Sequence, residues 1–515
     1  MVAFALLTGA LAAAPAYAAV AQRSAETYSY RVIDARVLLA APQRGPPSRD
    51  GKIVLMSYIF TASFVAPAAN PTSASSNYVG KSNSTLQNGP TVPGKAFDRI
   101  IQIWLENTDY ETAASSPVFQ NLTKQGLLLS GYHGNTHPSE PNYAVAGMGD
   151  FFGMHDDAFY AFPKNTSSVA DLLEAKNISW ASYQENMPYD GYTGFNYTEQ
   201  NYLNKSAGEY TYYVRKHSPL ILTDSVAGVQ QRALRHRNFN DFAADVNASA
   251  LPQWVFITPN LVNDAHDSTI DYTSSWLEYF LVPLLQNPNF VGNSSLVLLT
   301  FDETETYSVN NRVYTLLLGS ALPTSLVGQN DPTYYTHCST LSTVEANWGL
   351  GSLGRCDTNK TLANVFDFVA NKTGYVNNGL TINSTDLPLT NLTGVFPGPA
   401  NTNMWTPILA PNVSAVGAGG GSVFVANGTN TALTSYAPQN LTAMGLKNPA
   451  MIDPGYDYSS GSLVVQNSTA SSSSASPSAT ATGKVATASG TSGAAGVVVP
   501  MSGLLAVAAG VAALL

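Results

Sequence analysis

Two apolar runs in this chain end in acid-bearing pairs, and few folds tolerate that pattern. Phe97-Asp-Arg-Ile-Ile-Gln-Ile-Trp-Leu105 leads into Glu106-Asn107, and Leu296-Val-Leu-Leu-Thr-Phe301 leads into Asp302-Glu303. Runs of this content read as strands buried on both faces. Burying carboxylates where they end costs several kcal/mol unless a cation or a set of donors compensates the charge. In open α/β sheets the ligand crevice lies just beyond the carboxyl ends of the strands. The pairs therefore read as the floor of an active site. Between them, the Pro-punctuated turn His133-Gly-Asn-Thr-His-Pro-Ser139-Glu-Pro-Asn-Tyr143 reads as the carrier of a nucleophile.

Hydrophobic periodicity alternates between strand and helix from about Ala96 to Tyr375. Strands are expected at Phe97–Leu105, Trp180–Asn186, Trp254–Thr258, Leu296–Phe301 and Val313–Gly319. Helices are expected at Ser168–Lys176, Phe239–Val246, Trp276–Val282 and Leu362–Ala370. Strands separated by helices imply an α/β domain, a mostly parallel sheet with helices on both faces. After Asn377, Gly, Pro, Asn and Thr dominate and helical periodicity ends.

Charged residues make up only 11% of the chain, well below the usual quarter. Asn-x-Ser/Thr sequons, sixteen of them from Asn83 to Asn467, offer N-linked glycans as another source of solubility and point to a secreted glycoprotein. The net charge of −10 argues against nucleic-acid binding, which needs a basic footprint. Cys338 and Cys356 are the only cysteines, too few for a Cys-ligated zinc site. In an oxidising compartment they are expected to pair; the alternative is two buried thiols.

Both ends read as addresses. Residues 1–18 form a short apolar stretch closing on Ala16-Tyr-Ala18, a signal-peptide pattern that lacks basic residues at its start. Residues 19–95 read as a poorly ordered segment, in which Val20 to Phe64 carries Arg-rich pieces and a second apolar run. Residues 96–376 form the catalytic domain and 377–466 a loop-rich appendage. A Ser/Thr/Ala-rich linker follows over 467–496. The apolar tail, 497–515, has no basic stop after it and describes a GPI-attachment signal, with a C-terminal membrane helix as the alternative.

Five motifs occur in order between Phe97 and Glu303: Phe97-Asp-Arg-Ile-Ile-x-Ile-x-Leu-Glu106-Asn107, His137-Pro-Ser-x-Pro-Asn-Tyr143, Tyr213-Val-Arg-Lys-His217, Thr258-Pro-Asn-x-x-Asn-Asp-x-His266-Asp267 and Thr300-Phe-Asp302-Glu303. In this the chain resembles the phosphoesterase family of acid phosphatases and bacterial-type phospholipases C, and among its members the secreted, phosphate-repressible fungal acid phosphatases. The resemblance implies an alkaline-phosphatase-like α/β fold and hydrolysis of small phosphorylated substrates. Ser139 is then the expected nucleophile, with Thr136 as runner-up, and Glu106, Asn107, Asp302 and Glu303 the expected ligands of one divalent metal ion. Four oxygen donors suit a hard cation, which lowers a hydroxyl's pKa and polarises a phosphate oxygen. His266 and His217 are the candidates to bind the phosphoryl group and protonate the leaving oxygen. Lys216 and Asn186 are expected to contact phosphate oxygens. Asp264 and Asp267 are expected to orient the rings, His337 to close the pocket rim, and Glu305 to stand behind the carboxylates. The rivals are a phospholipase C-type phosphodiesterase and a non-catalytic cell-wall glycoprotein.

Overall fold

The computed structural model describes residues 85–201, 205–292, 294–388 and 396–448, with two short strands, Tyr456–Asp457 and Ser462–Leu463. The expected signal peptide, the Val20 to Phe64 stretch, the linker and the apolar tail lie outside these residues. Eight strands form the central sheet: β1 (Arg99–Leu105), β2 (Leu127–Leu129), β3 (Trp180–Gln184), β4 (His236–Asn238), β5 (Trp254–Thr258), β6 (Ser295–Phe301), β7 (Thr315–Leu318) and β8 (Gln329–Asp331). Their order is β8-β2-β7-β6-β1-β5-β3-β4. The run β6-β1-β5-β3-β4 is parallel throughout, while β7 runs antiparallel to both its neighbours. The fold is α/β with a mostly parallel sheet.

The central strands are apolar because both of their faces are covered. Trp104 on β1 faces Tyr143 and His337, with ring centroids 5.2 and 4.3 Å away. These two rings belong to helices α1 (Ser139–Met148) and α5 (His337–Trp348). Leu105 pairs with Phe301 on the opposite face, where Phe119 stacks on Phe301 at 5.7 Å. Further along that face, Phe242 of α3 (Phe239–Asn247) meets Tyr183 at 5.2 Å and Phe280 of α4 (Ile270–Leu284) at 5.7 Å. Helix α2 (Val169–Glu174) starts behind the expected Ser168, whose backbone N–H donates to Asp171 Oδ2 at 2.9 Å.

Several expected boundaries move. The late helix α6 spans Asp367–Thr373 and does not begin at Leu362. Asn377 ties up both backbone groups of Val365, accepting from its N–H and donating to its carbonyl at 2.8 Å each, so an earlier helical turn cannot form there. The ordered unit also starts before Ala96: Leu86 N–H donates to Asp245 Oδ1 at 2.8 Å and Val92 N–H to Gln253 Oε1 at 2.9 Å. The described residues beyond 377 lie mostly in loops, and two of their glycines pack closely on the sheet domain. A Cβ at Gly398 would stand 2.1 Å from the Phe152 carbonyl oxygen, and one at Gly419 2.4 Å from that of Leu350, so neither position admits a side chain.

Cys338 and Cys356 are joined in a disulfide with Cα atoms 5.7 Å apart, linking the first turn of α5 to the Cys356–Thr358 turn. Closing a loop of this size contributes about 3 kcal/mol in the chain-entropy account. Cys338→Ser is expected to lower the unfolding free energy by about that amount in a denaturant titration.

Candidate active site

Because β1 and β6 are parallel neighbours in register from Arg99↔Ser295 to Leu105↔Phe301, the residues that follow them emerge side by side. The backbone continues the pairing: Asp302 N–H donates to the Leu105 carbonyl at 3.1 Å. On the other flank, Glu106 N–H donates to the Asp264 carbonyl at 2.9 Å, in the loop after β5. Three strand ends thus share one crevice, as the topology of open α/β sheets requires.

Ser139 enters this crevice from above as the first residue of α1, with Pro138 at the N-cap. Its hydroxyl does not cap the helix. Ser139 Oγ lies 3.0 Å from Glu106 Oε2, 3.1 Å from Glu303 Oε1 and 3.4 Å from Asn107 Oδ1. The hydroxyl of Thr136 instead donates to the His137 carbonyl at 3.3 Å. Asn142 fixes the turn, its Oδ1 accepting from the N–H groups of Asn135 and Thr136 at 2.8 and 3.1 Å. Asn311 adds a brace, donating to the Thr136 carbonyl at 3.0 Å.

The acids below are fully buried. Glu106, Asp302 and Glu303 have no exposed surface, and among the described residues no side chain donates to either Asp302 carboxylate oxygen, which draws only on the Glu303 backbone N–H. Burial raises the proton affinity of all three, and each is pushed further or opposed by named neighbours. Glu106 and Glu303 repel Asp302, Glu106 repels Glu303, and the positive fields of His266 and Lys216 draw Glu106 back down. Carboxylate oxygens short of donors in a buried acidic cluster are what a divalent cation would satisfy. Glu106, Asn107, Asp302 and Glu303 fit that demand. A second donor set shares Glu106: one ligand atom each from Glu106, His217 and His266 lies within 4.8 Å of the others. The histidines were expected in proton transfer, and as nitrogen donors they would shift preference toward transition metals.

A tight turn, Arg215–His217, sends three basic residue types in three directions. Arg215 turns inward to donate to the Tyr160 carbonyl at 3.0 Å. Lys216 Nζ bonds Asp157 Oδ2 at 2.8 Å and stands 3.5 Å from His266 Nε2. Burial alone would lower the Lys216 pKa, but Asp157 and then Glu106 outweigh it and raise it. His217 is buried, with Nε2 3.4 Å from Glu106 Oε1 and Nδ1 3.7 Å from Asp264 Oδ2. Burial, reinforced by Lys216 and His266, pushes its pKa well below the usual value, so the ring stays neutral. A neutral ring suits ligation better than the imidazolium role expected of it. His266 is a quarter exposed and its Nδ1 bonds Asp267 Oδ1 at 2.6 Å.

Three expected positions lie elsewhere. The amide of Asn186 donates to Glu199, on the short strand Asn196–Gln200, and accepts from Asn260 Nδ2 at 2.7 Å, so its bonds do not run to the serine cluster. His337 is in the core, not at the rim: Nε2 meets the Asp302 carbonyl at 2.6 Å and Nδ1 the Tyr132 hydroxyl at 3.2 Å. Glu305 is exposed, unlike the three buried acids. Conversely, sequence reasoning passed over Tyr143, which donates to Glu106 Oε1, and His137, whose Nδ1 contacts Glu303 Oε2. Both lie inside the quoted nucleophile motif, and that proximity to Ser139 was the available signal.

The phosphoesterase family model matches residues 93–351. The chain belongs to the phosphoesterase family. An acid phosphatase of Aspergillus fumigatus is 48% identical over 61% of this phosphoesterase and 67% of its own length. A phosphate-repressible acid phosphatase of Penicillium chrysogenum is 46% identical over 61% and 72%. A solved structure of a protein in the alkaline phosphatase superfamily from Vibrio parahaemolyticus aligns at 10% identity and TM-score 0.32, over 50% of this chain and 68% of that one.

Beside the site, burial pushes two further carboxyls, Glu185 and Glu199, up to about 8, although Asn263 and Asn186 respectively donate to them. Below the unfolded value near 4.5 both states hold these protons, and the stability gained by burying neutral acids is fully present. It is lost as pH rises toward 8, because the unfolded chain ionises first. Buried histidines such as His236, held down to about 3 by burial, act with opposite sign but only below about pH 6.5. The melting temperature is therefore expected to fall between pH 6.5 and 8.5, and Glu185→Gln to flatten that slope in parallel thermal melts.

Proposed function

We propose that this phosphoesterase is an acid phosphatase that hydrolyses phosphate monoesters through a seryl-phosphate intermediate. The observation that carries the reading is the position of Ser139 Oγ, between Glu106 and Glu303 at 3.0 and 3.1 Å and at the start of a helix. The relatives named as acid phosphatases support the same class of reaction.

In the first half-reaction Ser139 Oγ attacks phosphorus in line with the ester oxygen and passes its proton to a carboxylate oxygen of Glu106 or Glu303. The phosphorus–ester oxygen bond breaks as the seryl–phosphorus bond forms. His266, partly exposed and braced by Asp267, gives the departing alkoxide its proton, and Lys216 offsets the charge on the phosphoryl oxygens. In the second half-reaction water, deprotonated by His266, attacks the seryl phosphate; the seryl–phosphorus bond breaks, the proton held by Glu106 or Glu303 returns to Ser139 Oγ, and inorganic phosphate is released. A cation held by Glu106, Asn107, Asp302 and Glu303 would supply a lowered serine pKa and a polarised phosphate oxygen.

We also place the protein outside the cell as a glycoprotein. Every sequon asparagine among the described residues is exposed or half-exposed, which N-glycosylation requires. No helix among those residues is long and apolar enough to cross a membrane.

Ser139→Ala is expected to abolish release of phenol from an aryl phosphate at about pH 5, while the alanine variant still binds inorganic phosphate; undiminished turnover would remove Ser139 from its role. Asp302→Asn is expected to cost at least about a hundredfold in kcat, with reduced metal content by elemental analysis. Normal rate and metal content in that variant would dismiss the cation site.

A further inference from the structure

The coil between α1 and α2 brings a carboxylate into the site that the reaction above does not use. Asp157 Oδ1 accepts from the backbone N–H of Glu140 at 3.0 Å, and Asp157 Oδ2 accepts from Lys216 Nζ at 2.8 Å. Glu140 directly follows Ser139, in the first turn of α1, where N–H groups have no acceptor within the helix. Lys216 lies beside His266. One anionic group with two oxygens is therefore gripped by one donor on the nucleophile's side and one on the proton donor's side. A phosphoryl group bonded to Ser139 would need donors in those same two directions.

The carboxylate is also poorly placed for a purely structural role. Its negative field raises the proton affinity of Glu140 and Glu303, so it adds repulsion to an already acidic crevice. Its side chain is 29% exposed, and the coil is held by other contacts: Arg215 donates to the Tyr160 carbonyl and its guanidinium lies 4.6 Å from the Phe159 ring centroid. Asp157 can rotate toward solvent without releasing the backbone.

We propose that Asp157 is a resident anion in a phosphate subsite built from the Glu140 N–H and Lys216 Nζ, and that a phosphate monoester binds by displacing it. The inference rests on the phosphatase reading. Displacement makes every phosphoryl ligand compete with an internal carboxylate, weakening substrate and product alike. Product release gains from the same competition, since the side chain returns to donors that inorganic phosphate vacates.

The test uses full-length protein with Asp157→Asn and Asp157→Ala, inorganic phosphate titrated by calorimetry, and steady-state kinetics on an aryl phosphate. Both variants are expected to bind phosphate about tenfold more tightly and to lower KM in parallel, with kcat not raised. Unchanged or weaker phosphate binding in both variants would overturn the proposal, because Asp157 would then only be positioning Lys216. In the Asp157→Ala background, adding Lys216→Ala is expected to weaken phosphate binding at least tenfold; no effect would overturn the assignment of Lys216 as a donor. Tightened phosphate binding in a protein that turns over no monoester would sink the phosphatase reading and leave the subsite standing. Normal turnover without tightening would do the reverse.

Discussion

The parallel pairing of β1 with β6 governs the rest of the molecule. It is an ordinary backbone ladder, yet its register decides that Glu106 and Asp302 leave the sheet at the same level. A slip of one residue would turn one strand's side chains to the opposite face and separate the acids. The cost of concentrating buried charge there is large, and much of the surrounding architecture offsets it. Tyr143 donates to Glu106, His137 meets Glu303, and Lys216 sets a positive charge within reach of the cluster. The apolar content of β1 and β6 is the complementary requirement, since only a tightly covered pair of strands holds two acidic ends so rigidly.

The serine turn shows the same economy. Asn142 and Asn311 saturate the backbone of a short irregular segment, so Ser139 is positioned by hydrogen bonds to the polypeptide and not by its own hydroxyl. That leaves the hydroxyl to the carboxylates. His337, buried under Trp104 and bonded to the Asp302 carbonyl, supports the acidic strand end from the core side. The disulfide belongs to this scaffold as well: Asn135 lies 3.4 Å from Cys338 Sγ and accepts from the His337 N–H.

Five of the eight sheet strands (β1, β3, β5, β6 and β7) and the two acidic ends were legible in the sequence because their signals are local, an unbroken apolar run and the polar residues that stop it; β2, β4 and β8, three residues each, are too short to carry such a signal. Trp254–Thr258 emerges within its expected bounds, and β1 and β6 within two residues. What the sequence hid is non-local. Nothing near Asn186 announces that Glu199 and Asn260 will engage its amide, and nothing near His337 says that its helix starts beneath the sheet's end. Asp157 carried a weak sign, an acid pair in an acid-poor chain, but its value comes only from meeting Lys216, 59 positions away. The late helix was drawn too early for a related reason, since apolar spacing runs back through Val365, whose backbone the side chain of Asn377 claims.

The glycine-rich stretch from Gly417 to Gly421 lies against the C-terminal end of α5 so closely that Gly421 N–H donates to the Leu350 carbonyl. The loop-rich tail is thus a seal on the far end of the helix whose first turn braces the serine segment. Trimming by a protease within the exposed loops at residues 425–447 would leave that seal in place, whereas a cut upstream of Gly417 would free the bolt from a helix that reaches back to the chemistry.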